Sequence, residues 1–136
     1  MKSVLDQIGG ESILRDLVDT FYDLVEQDPR GESLRGLHFK GHGIAHARIE
    51  QFNFLSAFLG GRRYYAEKHG HMDVKLMHAH VPITNQDAED WLFLMEKAID
   101  EYYFSEPLKN RLMTSFKSVA LILVNDGVVA GDASSI

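Results

Sequence analysis

Cysteine is absent from all 136 residues. That single fact removes disulfides, thiolate zinc sites, iron–sulfur clusters and cysteine nucleophiles together. Long apolar stretches are missing too. None approaches the roughly 18 residues that a membrane span requires, and Met1-Lys2-Ser3-Val4-Leu5-Asp6 holds no apolar signal segment. The expectation is a protein that stays in the cytoplasm, away from membranes. Basic charge is scarce: fourteen Lys and Arg stand against twenty Asp and Glu, a formal net charge of −6. No basic stripe interrupts that balance, which argues against nucleic acid or an anionic membrane as a partner. Proline occurs only at 29, 82 and 107, and segments rich in β-branched residues are nearly absent.

What remains is helical spacing. Ile13, Leu14, Leu17, Val18, Phe21, Leu24 and Val25 recur at about 3.6 residues, between the Gly9-Gly10 break and Asp28-Pro29. A short helical turn is expected around Ser33–Leu37. A further helix covers about Ile44–Leu59, with Ile44, Ala47, Gln51, Leu55 and Phe58 along one stripe. Gly60-Gly61 then stops it, since glycine tolerates positive φ. Residues 62–80 read as two short helical pieces joined by loop around Gly70. Thr84-Asn85-Gln86-Asp87 has the chemistry of a helix start, and that helix runs to about Tyr103, burying Ala88, Trp91, Leu92, Met95, Ala98, Ile99 and Tyr102. Ser105-Glu106-Pro107 opens the last helix, which Leu108, Leu112, Phe116, Val119 and Leu123 line. The reading is one all-α domain over residues 1–127, followed by a loose tail over 128–136.

Four substantial helices suffice for a bundle with no ligand. The middle of the chain argues otherwise. From Gly60 to Pro82 the sequence is too long and too poor in apolar residues for an ordinary connection, so something other than side chains is expected beneath it. All seven histidines (38, 42, 46, 69, 71, 78 and 80) lie in the middle third. His78 has the most apolar surroundings of the seven, in Val74-Lys75-Leu76-Met77-His78-Ala79-His80-Val81-Pro82-Ile83. On a helix His80 would point about 200° away from it, so the two do not share one metal. Neutral imidazole is a common axial ligand of heme iron. The residues alone leave two readings of His78 open, an iron ligand or a partly buried structural histidine. His69 and His71 flank Gly70 and read as turn-shaping or solvated. His42 and His46, four apart, read either as a metal clamp or as an exposed first turn. A zinc hydrolase finds no HExxH here.

A set of ordered matches narrows the choice. They are Ile8-Gly9-Gly10, Phe21-Tyr22 with Asp28-Pro29, Phe54-Leu55 with Leu59-Gly60-Gly61, and Tyr65. His69-Gly70-His71, His78 with Pro82-Ile83, and Asp90-Trp91-Leu92 with Met95 follow. In this order and spacing the chain resembles the truncated hemoglobins of group II over about residues 5–125. The resemblance implies a globin-like two-over-two helical sandwich around heme b. It places His78 on the proximal iron ligand and Tyr22, His38, Ala47, Gln51 and Trp91 on distal positions. Phe54 and Leu55 fall among the cofactor-binding residues. Gln51 carries independent weight, because an amide buried in an apolar stripe without a partner is costly; exposure at a helix edge is the competing account. The chain departs from the family at Met77, where an arginine often precedes the histidine, at Met72 and at His80, where proline is usual. Lys75, Tyr65, Arg62 and Arg63 are the expected substitutes for propionate contacts, since propionates favour cations and hydroxyl donors.

The resemblance further implies binding of O2 and other small diatomic ligands at a pentacoordinate ferrous iron, with tight, slow-releasing O2 binding. Oxygen transport is the family's nominal role. The alternative is peroxidase-like or nitric-oxide chemistry at the same heme, with His38 as proton shuttle and an external reductase, because no flavin or nicotinamide domain fits in this length. A third option is His38 or His46 as a sixth iron ligand. A ligand-free helical interaction module is the remote alternative. The expected assembly is a monomer or weak homodimer.

Overall fold

The computed structural model describes residues 2–40, 43–73 and 83–125, excepting the side chains of residues 38–40. All regular structure among them is helical: α1 (Val4–Ile8), α2 (Glu11–Gln27), a 3-10 turn (Pro29–Gly31), α3 (Glu32–Lys40), α4 (Ile44–Phe58), α5 (Tyr64–His69), α6 (Asn85–Ile99) and α7 (Glu106–Leu123). Two pairs organise them. The α2 helix packs on α4 and α6 packs on α7, while a contact between α2 and α6 joins the pairs. This is the two-over-two arrangement that the resemblance implied. The expected tail, residues 128–136, and the second helical piece, within 74–82, lie outside the described residues.

Local chemistry explains most boundaries. Gly9 and Gly10, at φ 118° and 91°, turn the chain between α1 and α2 in a region L side chains avoid. Leu14, Leu17, Val18, Phe21 and Val25 are then buried on one face of α2. Its C-terminal carbonyls are satisfied from α3: Arg35 Nη1 donates to the Val25 and Asp28 carbonyls at 2.7 and 3.2 Å. The 3-10 turn is fastened to α6 twice, by Arg30 to Asp90 and by Lys97 to Asp28. At the start of α6, Thr84 and Asp87 exchange side-chain-to-backbone bonds of 3.2 and 2.9 Å, the expected capping box. Ser105 caps α7 ahead of Pro107.

Three expectations are corrected. The helix at Ser33–Leu37 is longer, Glu32–Lys40. The α6 helix stops at Ile99 and not Tyr103, because Tyr102 turns inward: its N–H bonds to the Ile99 carbonyl, its hydroxyl to Asp16 on α2, and its ring stacks on Phe104. Tyr103 is left fully exposed. On α4 the apolar stripe is misplaced by the sequence pattern. Phe52 is buried and Phe58 is exposed, since α4 packs against both α2 and α5 and so buries more than one face. Ser56, also buried, donates to the Arg62 carbonyl at 2.9 Å and fixes the turn into α5.

Gly31 and Gly36 should respond oppositely to alanine. A Cβ on buried Gly31 would sit 2.1 Å from the Val25 carbonyl oxygen, whereas one on Gly36 meets nothing within 4 Å. Urea denaturation should show Gly31→Ala destabilised by about 3 kcal/mol and Gly36→Ala stabilised by about 0.5–1 kcal/mol. Equal effects would contradict this packing.

Candidate functional site

The α2–α4 seam carries a polar pair inside an apolar surround. Tyr22 is 2% exposed, and its hydroxyl donates to Gln51 Oε1 at 3.0 Å. Burial pushes its phenol well above the ordinary tyrosine range, with the Arg48 charge pulling the other way. The hydroxyl therefore stays a protonated donor across physiological pH. The other end of the amide is the unusual feature. Gln51 Nε2 is buried and has no hydrogen-bond partner among the described residues. Such an orphaned donor costs about 1–3 kcal/mol, so a native protein that keeps one is expected to give it an acceptor beyond the described residues.

Trp91 on α6 belongs to the same neighbourhood. Phe21 lies edge-on to Tyr22 at 4.8 Å and 5.1 Å from the Trp91 ring, so it touches both polar aromatics. Phe116 braces Trp91 from α7. Trp91 is half-buried. Ala47, also half-buried, lies one helical turn before Gln51. The structure thus brings Tyr22, Gln51 and Trp91 within one aromatic cluster contributed by three helices. His46 is exposed at the start of α4.

A second group lies where α4 meets α5. Tyr65 is 3% exposed, packed edge-on against Phe54 at 5.5 Å and beside His69 at 4.5 Å. Burial first, then the Glu50 and Asp73 charges, push its phenol up to about 12. Leu55 is buried and Phe54 half-buried nearby. His69, read from the sequence as turn-shaping or solvated, closes α5 ahead of Gly70 and with Lys68 engages Glu50. Gly70, at φ 78°, ends α5, and His71 Nδ1 accepts from the Asp73 N–H at 3.0 Å. Of the expected propionate contacts, Arg62 is exposed and paired with Glu67 at 2.9 Å, and Arg63 is exposed. His78, Lys75, Met77, His80 and His42 lie outside the described residues, as does the His38 side chain.

Sequence reasoning missed Arg48 and Glu50. Their partners lie 29 and 19 residues away, and no local pattern carries such pairings. Among the described residues no group of three or more His, Asp or Glu is arranged to hold a metal ion, and no helix is long and apolar enough to cross a membrane.

Comparison with known proteins places this geometry. The family model for bacterial-like globins matches residues 3–125. The group 2 truncated hemoglobin YjbI of Bacillus subtilis (strain 168) is 35% identical over 126 residues, covering 93% of this chain and 91% of the relative. The cold-adapted truncated hemoglobin from the Antarctic marine bacterium Pseudoalteromonas haloplanktis TAC125 superposes with a TM-score of 0.84 at 27% identity, over 91% of this chain and 98% of that one. A truncated oxygen-avid haemoglobin from Bacillus subtilis superposes with a TM-score of 0.80 at 31% identity, over 91% and 100%.

Two outcomes follow from the site's polar contacts. Tyr22→Phe should destabilise the protein by about 1–2 kcal/mol, because it orphans Gln51 Oε1 as well. Adding Gln51→Leu should restore the original stability or exceed it in urea denaturation; a further loss would show that the pair is otherwise satisfied. Burial raises the Glu50 carboxyl, and the Lys68 and His69 hydrogen bonds outweigh it, leaving a net value below the ordinary one. Its contribution is then present above an unfolded pKa of about 4.3 and is lost as pH falls through the lower folded value. Glu50→Gln should lower the melting temperature by roughly 2–5 °C at pH 7, with the gap closing below about pH 3–4.

Proposed function

The chain belongs to the bacterial-like globin family as a group 2 truncated hemoglobin, and on that premise we propose that it carries heme b with His78 as the proximal ligand of a pentacoordinate ferrous iron, and that it binds O2 tightly and releases it slowly. Heme-based binding of small diatomic ligands follows from the family. The finer reading rests on one observation: Gln51 Nε2, a buried donor without an acceptor among the described residues. A diatomic ligand with electron density on its outer atom supplies that acceptor. Heme, held by His78, would supply an iron able to take O2, CO or nitric oxide.

The chain's own residues do the rest. Gln51 directs its amide hydrogens at the ligand, and Tyr22 holds the amide in place through the 3.0 Å bond to Oε1. Trp91, packed against Phe21, offers its indole N–H as a further donor. Each such bond in a dry pocket stabilises the held ligand by about 1–1.5 kcal/mol, so two or three slow its release roughly ten- to a thousandfold. Because burial keeps the Tyr22 phenol protonated, this hold is insensitive to pH near neutrality. The description of the Bacillus subtilis protein as oxygen-avid supports the same property here.

Phe54, Leu55 and Tyr65 are assigned to the cofactor's apolar contact, with the Tyr65 hydroxyl, Lys75 and Arg63 toward its propionates. Arg62 is less suited, since Glu67 already holds it. His38 and Ala47 complete the distal side. A cytoplasmic monomer or weak homodimer, kept ferrous by an external reductase, belongs to the same proposal.

Ferric, ferrous, O2 and CO spectra of the heme-loaded protein beside His78→Ala should show histidine-ligated bands that the variant loses. In stopped flow, Tyr22→Phe and Trp91→Leu should each quicken O2 release by about tenfold. Unchanged release in both variants contradicts the reading.

A further inference from the structure

The two donors on the α2–α4 seam are only as well aimed as the seam is fixed, and one side chain fixes it. On α4, Arg48 lies three residues before Gln51, on the same helical face. On α2, Tyr22 and Asp23 lie three and four residues after Asp19, and Glu26 lies four and three after them, so the four share a face as well. Arg48 meets that stripe on both sides of Tyr22. Its Nη1 donates to the Asp19 carbonyl at 3.0 Å and to Asp19 Oδ1 at 3.1 Å. Its Nη2 donates to Asp23 Oδ1 at 2.9 Å, with Glu26 Oε1 at 3.8 Å. The guanidinium carbon lies 5.8 Å from the centre of the Tyr22 ring. The Arg48 side chain is 23% exposed, while the three carboxylates are about half exposed.

We infer that Arg48 is a positioning residue for ligand binding: it clamps the turn of α4 that bears Gln51 to the turn of α2 that bears Tyr22, and so sets where their donor hydrogens point. The inference rests on the reading of Tyr22 and Gln51 as ligand donors. Its physical basis is the planar fork of arginine, which binds two acceptors in fixed directions, where a lysine binds as a point charge. An isolated surface ion pair would contribute little. Here the fork also takes a backbone carbonyl, so it constrains the helix itself and not only a mobile side chain. Hydrogen bonds weaken steeply with distance and angle, and slippage of the seam by a fraction of an ångström disturbs the Tyr22–Gln51 bond and the direction of Nε2 together. Arg48 touches no ligand in this account.

A double-mutant cycle separates this role from ordinary stabilisation. Arg48→Met should quicken O2 release about five- to tenfold in the otherwise unchanged protein, and by less than about twofold when Tyr22→Phe and Gln51→Leu are already present. Arg48→Lys should fall between. Asp19→Asn with Asp23→Asn, which leaves Arg48 in place and removes the charges it grips, should reproduce the effect should the methionine variant fold poorly. The Gln51 side-chain amide resonances, followed by NMR in both CO-bound and heme-free protein, should move in Arg48→Met while the methyl resonances of Leu17 and Leu112 stay put. The same acceleration in both backgrounds, or an unmoved Gln51 amide, overturns the inference. Failure of the unmodified protein to bind O2 would defeat the underlying reading, and the amide resonances would still decide the clamp.

Discussion

A buried amide with an unfilled hydrogen bond is the constraint on which this site turns. The core along α2 is otherwise apolar: Leu14, Leu17, Val18, Phe21 and Val25 are essentially without solvent contact. Into that surround α4 introduces Gln51, one end accepting from Tyr22 and the other with no partner among the described residues. An apolar residue of similar shape would fold as well or better there. Keeping the amide trades stability for a directed donor, a trade typical of sites that recognise a polar ligand. The rest of the seam makes sense in that light. Arg48 and its carboxylates hold the outer side, Phe21 and Trp91 fill the inner side, and the capped, twice-fastened turn at residues 28–31 keeps the end of α2 against α6.

The α4–α5 corner complements the seam. Glu50 is the residue immediately before Gln51, yet it faces α5, where Lys68 and His69 engage it. Adjacent residues on α4 therefore serve different neighbours: Arg48 and Gln51 address α2, while Glu50 addresses α5. The helix is held on two sides, and this explains why its burial does not follow a single stripe. The same arrangement sets Tyr65 against Phe54 and His69, an apolar wall with one buried hydroxyl.

Wherever the signal was local, the sequence was legible. Thr84 with Asp87, Ser105 with Pro107, and the glycines at 9, 10 and 60 each mark a boundary through chemistry confined to three or four residues, and the structure places the boundaries there. Legibility failed where long-range packing decides. Nothing near Tyr102 foretells that its hydroxyl reaches Asp16, so the end of α6 was placed too late. Phe52 and Phe58 are equally apolar, and only the position of α2 and α5 tells which is buried. Gln51 was half legible: its polarity within an apolar stripe flagged it, but burial and the missing partner needed the fold. The histidines divide in the same way. The pairing of His69 with Glu50 could not be read because Glu50 lies on another helix, while the choice of His78 came from the family resemblance and not from spacing.

The infrared stretch of CO in the ferrous protein tests the central claim most directly, because a donor aimed at the ligand's oxygen polarises CO and lowers the frequency. With Gln51 in place the band should be low, and in Gln51→Leu it should rise while the fold, judged by the far-ultraviolet spectrum, stays the same. An identical frequency in both proteins would mean that the orphaned amide does not face the ligand, and the account of the α2–α4 seam would be wrong.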